Sequence, residues 1–224
     1  MTEKRSARVL RADKLPESIR KWCFSLALES SSFSTVYNTE SANTDDVSSE
    51  ISFKLSSASY GIILVESSVT DSKSSEMDFP HLPVLHEEEQ PAPKKKRTSE
   101  TTEDDTKSNG DDGTDKLLGF LLYDFDDIEM DPDEGFCAYI AEVHVRSEMR
   151  GKGIGGFLLS TLETIALNAG ASCIKLTCSK KNTGALKFYF ANSFDFDPDN
   201  PDEELDMPYV ILRKTFAQRS DENQ

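Results

Sequence analysis

The sequence predicts an α/β domain interrupted by one long insertion, and three observations lead there. Two short apolar runs, residues 60–65 (YGIILV) and 117–125 (LLGFLLYDF), have the length and the aliphatic and aromatic content of strands. Between them, residues 67–115 are rich in Ser, Thr, Pro and charge and nearly lack periodic apolar residues, which is the composition of disorder. A Gly-rich turn at 150–156 separates a strand-like segment from a helical one. The two apolar runs then form a hairpin with the insertion in its turn. Lengthening a turn tenfold costs only about 2 kcal/mol of closure entropy, so the hairpin survives it.

The elements follow in order. Residues 16–33 read as a helix, with Pro16 in the first turn and Ile19, Trp22, Cys23, Leu26 and Leu28 on one face. A polar, acidic connector covers 37–46. After the hairpin come a strand over 138–145, a helix from the Gly-rich turn to about Leu167, and a strand over 173–178. A helix over 182–192 and a strand over 209–212 close the fold. Short segments before Leu15 and over 194–196 add strands. The chain divides into an N-terminal part of the domain (1–66), the insertion (67–115), a C-terminal part carrying the cofactor site (116–216) and a tail (217–224).

Composition narrows the function. Acids outnumber bases 41 to 25, for a net charge of −16, and hydrophobic residues make up 37%. A chain this acidic is not expected to bind nucleic acid through a broad basic surface, but it suits a basic polypeptide. No apolar run is long enough to span a bilayer and no signal-peptide pattern opens the chain, so a soluble, intracellular protein is expected. A monomer is the expected state, which nothing in the residues fixes. Cys23, Cys137, Cys173 and Cys178 form no CxxC pair, and no histidine stands at zinc-ligand spacing, so four reduced, buried thiols and no metal are expected.

The turn Arg150-Gly151-Lys152-Gly153-Ile154-Gly155-Gly156 opens a helix. Glycines let backbone N–H groups approach a ligand closely, and the start of a helix favours negative charge, so this is a pyrophosphate cradle. Gly151, Gly153 and Gly156 satisfy the dinucleotide pattern G-x-G-x-x-G. The next strand, however, ends in Ser179-Lys180-Lys181, where a ribose-binding acid is required. Coenzyme A is the other ligand that suits the cradle.

Here the residues resemble the GNAT acetyltransferase family. Arg150, Gly153 and Gly155 match its loop R/Q-x-x-G-x-G/A, and Asn182, Ala185, Tyr189 and Phe194 match its second signature, with Ser193 in place of the usual Gly. The resemblance implies a mixed, mostly antiparallel sheet flanked by helices, and acetyl-CoA as cofactor. The cofactor would be held by Arg150, Gly151, Lys152, Gly153, Ile154, Gly155, Gly156, Asn182 and the backbone of Val143, His144 and Val145. The segments YIAEVHVRSEMRGKGIG, IKLTCSKKNTGALKFYF and FDFDPDNPDEELDMPYVILRK are similar to the branch of the family that acetylates histone N-termini. That branch implies as substrate the α-amine of histone 4 and 2A tails, which begin Ser-Gly-Arg-Gly. It implies Glu142 as catalytic residue and substrate contacts at Tyr37, Asp126, Glu129, Ala141, Thr177, Asn200 and Tyr209. The chain departs from it at Ala141, where an aromatic is expected, and at Ala42-Asn43, where a Trp is expected.

The residues suggest a mechanism. An α-ammonium has a reference pKa near 8, so a modest base suffices. Alternation along a strand puts Glu142 and His144 on one face and Val143 and Val145 on the other. Glu142 is the expected base and His144 either a relay or a bystander; the resemblance implies Tyr189 as the acid for the leaving thiolate, the alternative being a half-buried helix aromatic. Acids concentrate at 124–134 and at 195–206, each run without a base, and are expected to border a groove for a cationic tail. The run Pro93-Lys94-Lys95-Lys96-Arg97 resembles a short nuclear import signal, which predicts residence in nucleus and cytoplasm. Two other functions use the same features: acetylation of a lysine or polyamine, and a non-catalytic acetyl-CoA-binding adaptor.

Overall fold

The computed structural model describes residues 4–31, 44–68, 114–126, 136–201 and 205–216, with the side chains of Ser31, Thr44, Asp45, Ser68 and Asp126 left out. Their elements run β1 (Lys4–Arg11), α1 (Glu17–Ser31), α2 (Thr44–Ser56), β2 (Gly61–Ser68), β3 (Leu117–Asp126), β4 (Cys137–Val145), α3 (Ile154–Asn168), β5 (Cys173–Ser179), α4 (Thr183–Ala191), β6 (Asp195–Phe196) and β7 (Tyr209–Thr215).

The strands form one sheet in the order β1-β2-β3-β4-β5-β7-β6. Every neighbouring pair is antiparallel except β4–β5. This is the mixed, mostly antiparallel sheet expected. The hairpin is also as expected: Gly61 pairs with Tyr123 and Val65 with Gly119. Most of the insertion, the basic run at 93–97 and the tail lie outside the described residues.

The apolar runs are continuous because the sheet is covered on both faces. Along β2, Ile62 and Leu64 are buried with Ile19, Cys23 and Leu26 of α1 and Ile51 and Leu55 of α2, while Ile63 and Val65 are buried with Leu158, Leu159 and Leu162 of α3.

Two expectations are corrected. The polar stretch ending near Asp46 runs into a helix, α2, which buries Ile51 and Leu55. Val47, Ile51 and Leu55, four residues apart, make a stripe too narrow to stand out among Asp and Ser. Two of the four cysteines are not free thiols either. Cys137 and Cys173 are register partners on the parallel pair β4–β5, their Cα atoms 4.9 Å apart, and they form a disulfide. Their separation of 36 residues carries no sign of this, because strand pairing alone brings them together. Cys23 and Cys178 are free and buried, as expected.

Candidate active site

The site grows from an irregularity in β4. Leu122 pairs with Glu142 and Tyr123 with Ile140, so Ala141 is an extra residue with no partner on β3. Such a bulge switches the alternation of the strand. Before it, Ala138 and Ile140 face the α3 side; after it, Val143 and Val145 do. Glu142 and His144 are thereby turned to the α1–α2 side, where the His144 ring lies 5.1 Å from that of Phe120.

Glu142 is held at both carboxylate oxygens. His144 Nε2 stands 3.0 Å from Oε2, and Lys54 Nζ donates to Oε1 at 2.9 Å. Lys54 also pairs with Glu50 one turn earlier on α2, at 2.6 Å. Burial pushes the Glu142 carboxyl up, but the hydrogen bond and charge of His144, then those of Lys54, outweigh it and hold it below the ordinary carboxylate value. Burial likewise pushes Lys54 down, and Glu142 and Glu50 together hold it above an ordinary lysine. Lys54 was not foreseen, because it comes from the helix that the sequence concealed and from 88 residues away.

Tyr189 lies on α4, packed against Phe188 and Phe194. Burial first, then the neighbouring Cys178, Glu142 and Tyr139, raise its phenol, so it keeps its proton at neutral pH. That state is the one an acid requires. Ser193, in place of the family's Gly, takes the left-handed φ of 67° just past the end of α4, so the departure is absorbed in the helix cap.

Beside Glu142 the strands part. The β4–β5 ladder runs from Cys137/Cys173 to Ile140/Leu176 and stops, while β5 stays paired with β7 to Ser179. The β5-facing backbone of Val143 to Val145 is therefore free of that ladder. At the root of the gap the Tyr139 hydroxyl donates to Thr177 Oγ1 at 2.9 Å. Tyr139 is a second unforeseen residue: the aromatic missing at Ala141 is present two positions earlier.

The Gly-rich turn fits an anion. Gly151 and Gly153 have φ of +71° and +81°, in the left-handed region. Gly153 caps α3 with no side-chain hydrogen bond, and the first intrahelical bond runs from Phe157 N to the Gly153 carbonyl. The N–H groups of Ile154, Gly155 and Gly156 thus have no acceptor within the helix. A Cβ on Gly151 would meet nothing within 4 Å, so backbone is open to a ligand there. The Arg150 Nε donates to the Val145 carbonyl at 3.3 Å and fastens the turn to β4. Lys152 is exposed. Asn182 accepts from Ala185 N and caps α4.

The expected substrate contacts fare differently. Thr177 and Tyr209 are half-buried on the facing strands β5 and β7. Ala141 is the bulge residue. Asn200 accepts from Ile211 N and donates to the Pro201 carbonyl, so its amide is occupied in fixing the chain before β7. Tyr37, Glu129 and the Asp126 side chain lie outside the described residues. Within the acidic run at 195–206, Asp195, Asp199 and Asp206 are exposed and Asp197 is not. Asp197 has a fully buried side chain, 3.4 Å from Lys175 Nζ and 3.5 Å from Arg213 Nε. Its counter-ions come from β5 and β7, so no base appears in the run itself.

The profile of the Acetyltransferase (GNAT) family matches residues 75–196, more than half of the 224. The chain belongs to that family. A GNAT-family acetyltransferase structure from Desulfovibrio desulfuricans is similar over 95% of this chain and 100% of its own, at 13% identity and TM-score 0.53. The protein PH1933 from Pyrococcus horikoshii is similar over 95% and 99%, at 17% identity and TM-score 0.52. The PaiA N-acetyltransferase from Thermoplasma acidophilum, solved with coenzyme A, covers 94% and 99% at 16% identity and TM-score 0.48. At these identities the first two likenesses show the fold. Membership makes the chain an acetyl-CoA-dependent acetyltransferase, and the cofactor supplies the acetyl group as a thioester.

Proposed function

We propose that the chain is a protein N-alpha-acetyltransferase resembling NatD (N-alpha-acetyltransferase 40), which transfers acetyl to the N-terminal serine amine of histone 4 and 2A tails. The observation that carries this reading is the state of Glu142. Its carboxyl is held below the ordinary value by His144 and Lys54, so it is a weak base. At pH 7.4 roughly a fifth of α-amines with pKa near 8 are already neutral, against about a thousandth of lysine amines near 10.4. A weak base suits the first better than the second.

Glu142 takes the proton released from the amine, directly or through a water, and His144 steadies the carboxylate. Tyr189 holds a proton at Oη for the departing sulfur. Arg150 and the turn Gly151 to Gly156 hold the cofactor's phosphates, with Lys152 as an exposed cation, and Asn182 shapes the neighbouring start of α4. The backbone of Val143 to Val145 takes its arm. Tyr37, Asp126, Glu129, Thr177 and Tyr209 contact the tail, with Asp126 and Glu129 on its arginine. The partners are histone tails rather than nucleic acid or membrane. The protein works as a monomer, and it resides in nucleus and cytoplasm, directed by residues 93–97.

The test is a pair of peptides, one beginning Ser-Gly-Arg-Gly and one with that arginine replaced by alanine. Paired carboxylates holding a guanidinium are worth about 2 kcal/mol or more, so the alanine peptide should react roughly thirtyfold more slowly. Equal rates would remove the histone-tail reading.

A further inference from the structure

We propose that Lys54 is a positioning residue of the active site: anchored by Glu50, it fixes Oε1 of Glu142 while His144 fixes Oε2, so the carboxylate presents one orientation to the substrate amine. The proposal rests on Glu142 being the base.

A glutamate has three rotatable side-chain torsions, and a base must be held to work. Glu142 is 21% exposed and its two oxygens each meet a different partner. The His144 contact comes from the same strand, two residues on, and moves with it. The Lys54 contact comes from another element and ties the carboxylate to α2. Lys54 is itself constrained: its side chain is 14% exposed and Glu50 takes its ammonium on the other side at 2.6 Å. It lies between Ile51 and Leu55, which are 3% and 0% exposed, so its stem leaves a packed helix face. The cation thus sits between two carboxylates, Glu50 and Glu142, and displacing it would leave Glu142 half-buried with one partner fewer.

The charged and titratable groups around Glu142 and its partner Lys54 come from several neighbouring elements. His144 and Tyr139 lie on β4, Lys54 and Glu50 on α2, and Tyr189 on α4; Tyr60 precedes β2, and Asp124 lies on β3. Lys54 and His144 are the members of this set that hold Glu142 low. Lys54 can therefore be tested through Glu142 itself.

The experiment titrates the Glu142 side-chain carboxyl by 13C NMR, its signal assigned by its loss in Glu142→Gln, in the full chain and in Lys54→Met and Lys54→Arg. The proposal expects the midpoint to rise by about one pH unit in Lys54→Met and to return in Lys54→Arg, as loss and restoration of a close cation require. On the Ser-Gly-Arg-Gly peptide, kcat should fall roughly tenfold in Lys54→Met, with the KM for acetyl-CoA unchanged. Lys54→Gln, which keeps a donor without the charge, carries the same expectation should the methionine variant not fold. An unmoved midpoint in a folded variant would overturn the proposal. So would a lower KM for the peptide at unchanged kcat, because Lys54 would then only occupy the place of the substrate amine. Failure of the base assignment is a separate result: Glu142→Gln would keep its turnover, while the titration would still report on Lys54.

Discussion

His144 Nε2 and Glu142 Oε2 lie 3.0 Å apart on one strand, and the Ala141 inserted just before them turns both toward α2. Two residues of an unbroken strand share a face, but the face they share is decided by the bulge. Without it Glu142 and His144 would follow Ile140 into the core beneath α3. The bulge turns the pair toward α2 and leaves Val143 and Val145 to the core.

Glu142→Gln keeps the shape and the contact with Lys54 but removes the base. Turnover should fall about a hundredfold or more, the usual cost of losing a general base. Acetyl-CoA affinity, measured by calorimetry, should be unchanged, because Glu142 is not part of the Gly-rich turn. Turnover within a few-fold of the unaltered chain would take the role away from Glu142.

The pH dependence follows from the direction of the Glu142 shift. A carboxyl held below its ordinary value is deprotonated throughout the range above it, so Glu142 does not limit the rate near neutrality. The acid limb of kcat/KM should then belong to the substrate amine, with a midpoint near 8 and a slope of one. An inflection between roughly pH 5 and 7 that Glu142→Gln abolishes would contradict this. The same shift adds stability that is complete above the unfolded-state value of about 4.3 and is lost as pH falls through the lower folded value. Glu142→Gln should accordingly lower Tm more at pH 7 than at pH 3.

The Gly153 backbone has φ of +81° at the start of α3. An aspartate there is strained and sets a carboxylate where phosphate is expected. Gly153→Asp should abolish acetyl-CoA binding in calorimetry while circular dichroism stays that of a folded chain. Gly153→Ala separates the strain from the charge and should retain measurable binding. Near-native affinity in a folded Gly153→Asp would overturn the placement of the cofactor.

Gly119 faces the active strand from β3. A Cβ there would lie 2.7 Å from the His144 carbonyl oxygen, a contact with backbone that no rotamer can relieve. Gly119→Ala should push β3 off β4 at His144 and cost roughly 1–3 kcal/mol, the range for overpacked sites. Thermal unfolding reads that loss, and turnover should drop with it. An unchanged Tm would mean that the strands yield there without effort.

Much of this was legible in the residues, and the reasons separate what was from what was not. The runs of β2 and β3 were clear because both faces are buried, which leaves no polar interruption in either. The cofactor turn was clear because its glycines are needed for local backbone geometry. Lys54, Tyr139, the bulge at Ala141, the Cys137–Cys173 bond and the ion pairs of Asp197 were not. Each depends on which strand or helix lies beside which, and register between distant segments leaves no periodic trace. The stripe of α2 could have been found from Val47, Ile51 and Leu55, and with it the cation beside Glu142.

The central claim is that the acceptor is an N-terminal amine. A peptide beginning Ser-Gly-Arg-Gly-Lys carries both an α-amine and a lysine, and tandem mass spectrometry locates the added acetyl group on one or the other. The account predicts the acetyl on the serine nitrogen alone, and no product from the same peptide with its α-amine blocked. Acetyl-lysine on the blocked peptide would contradict it and move the enzyme to the side-chain acetylating class.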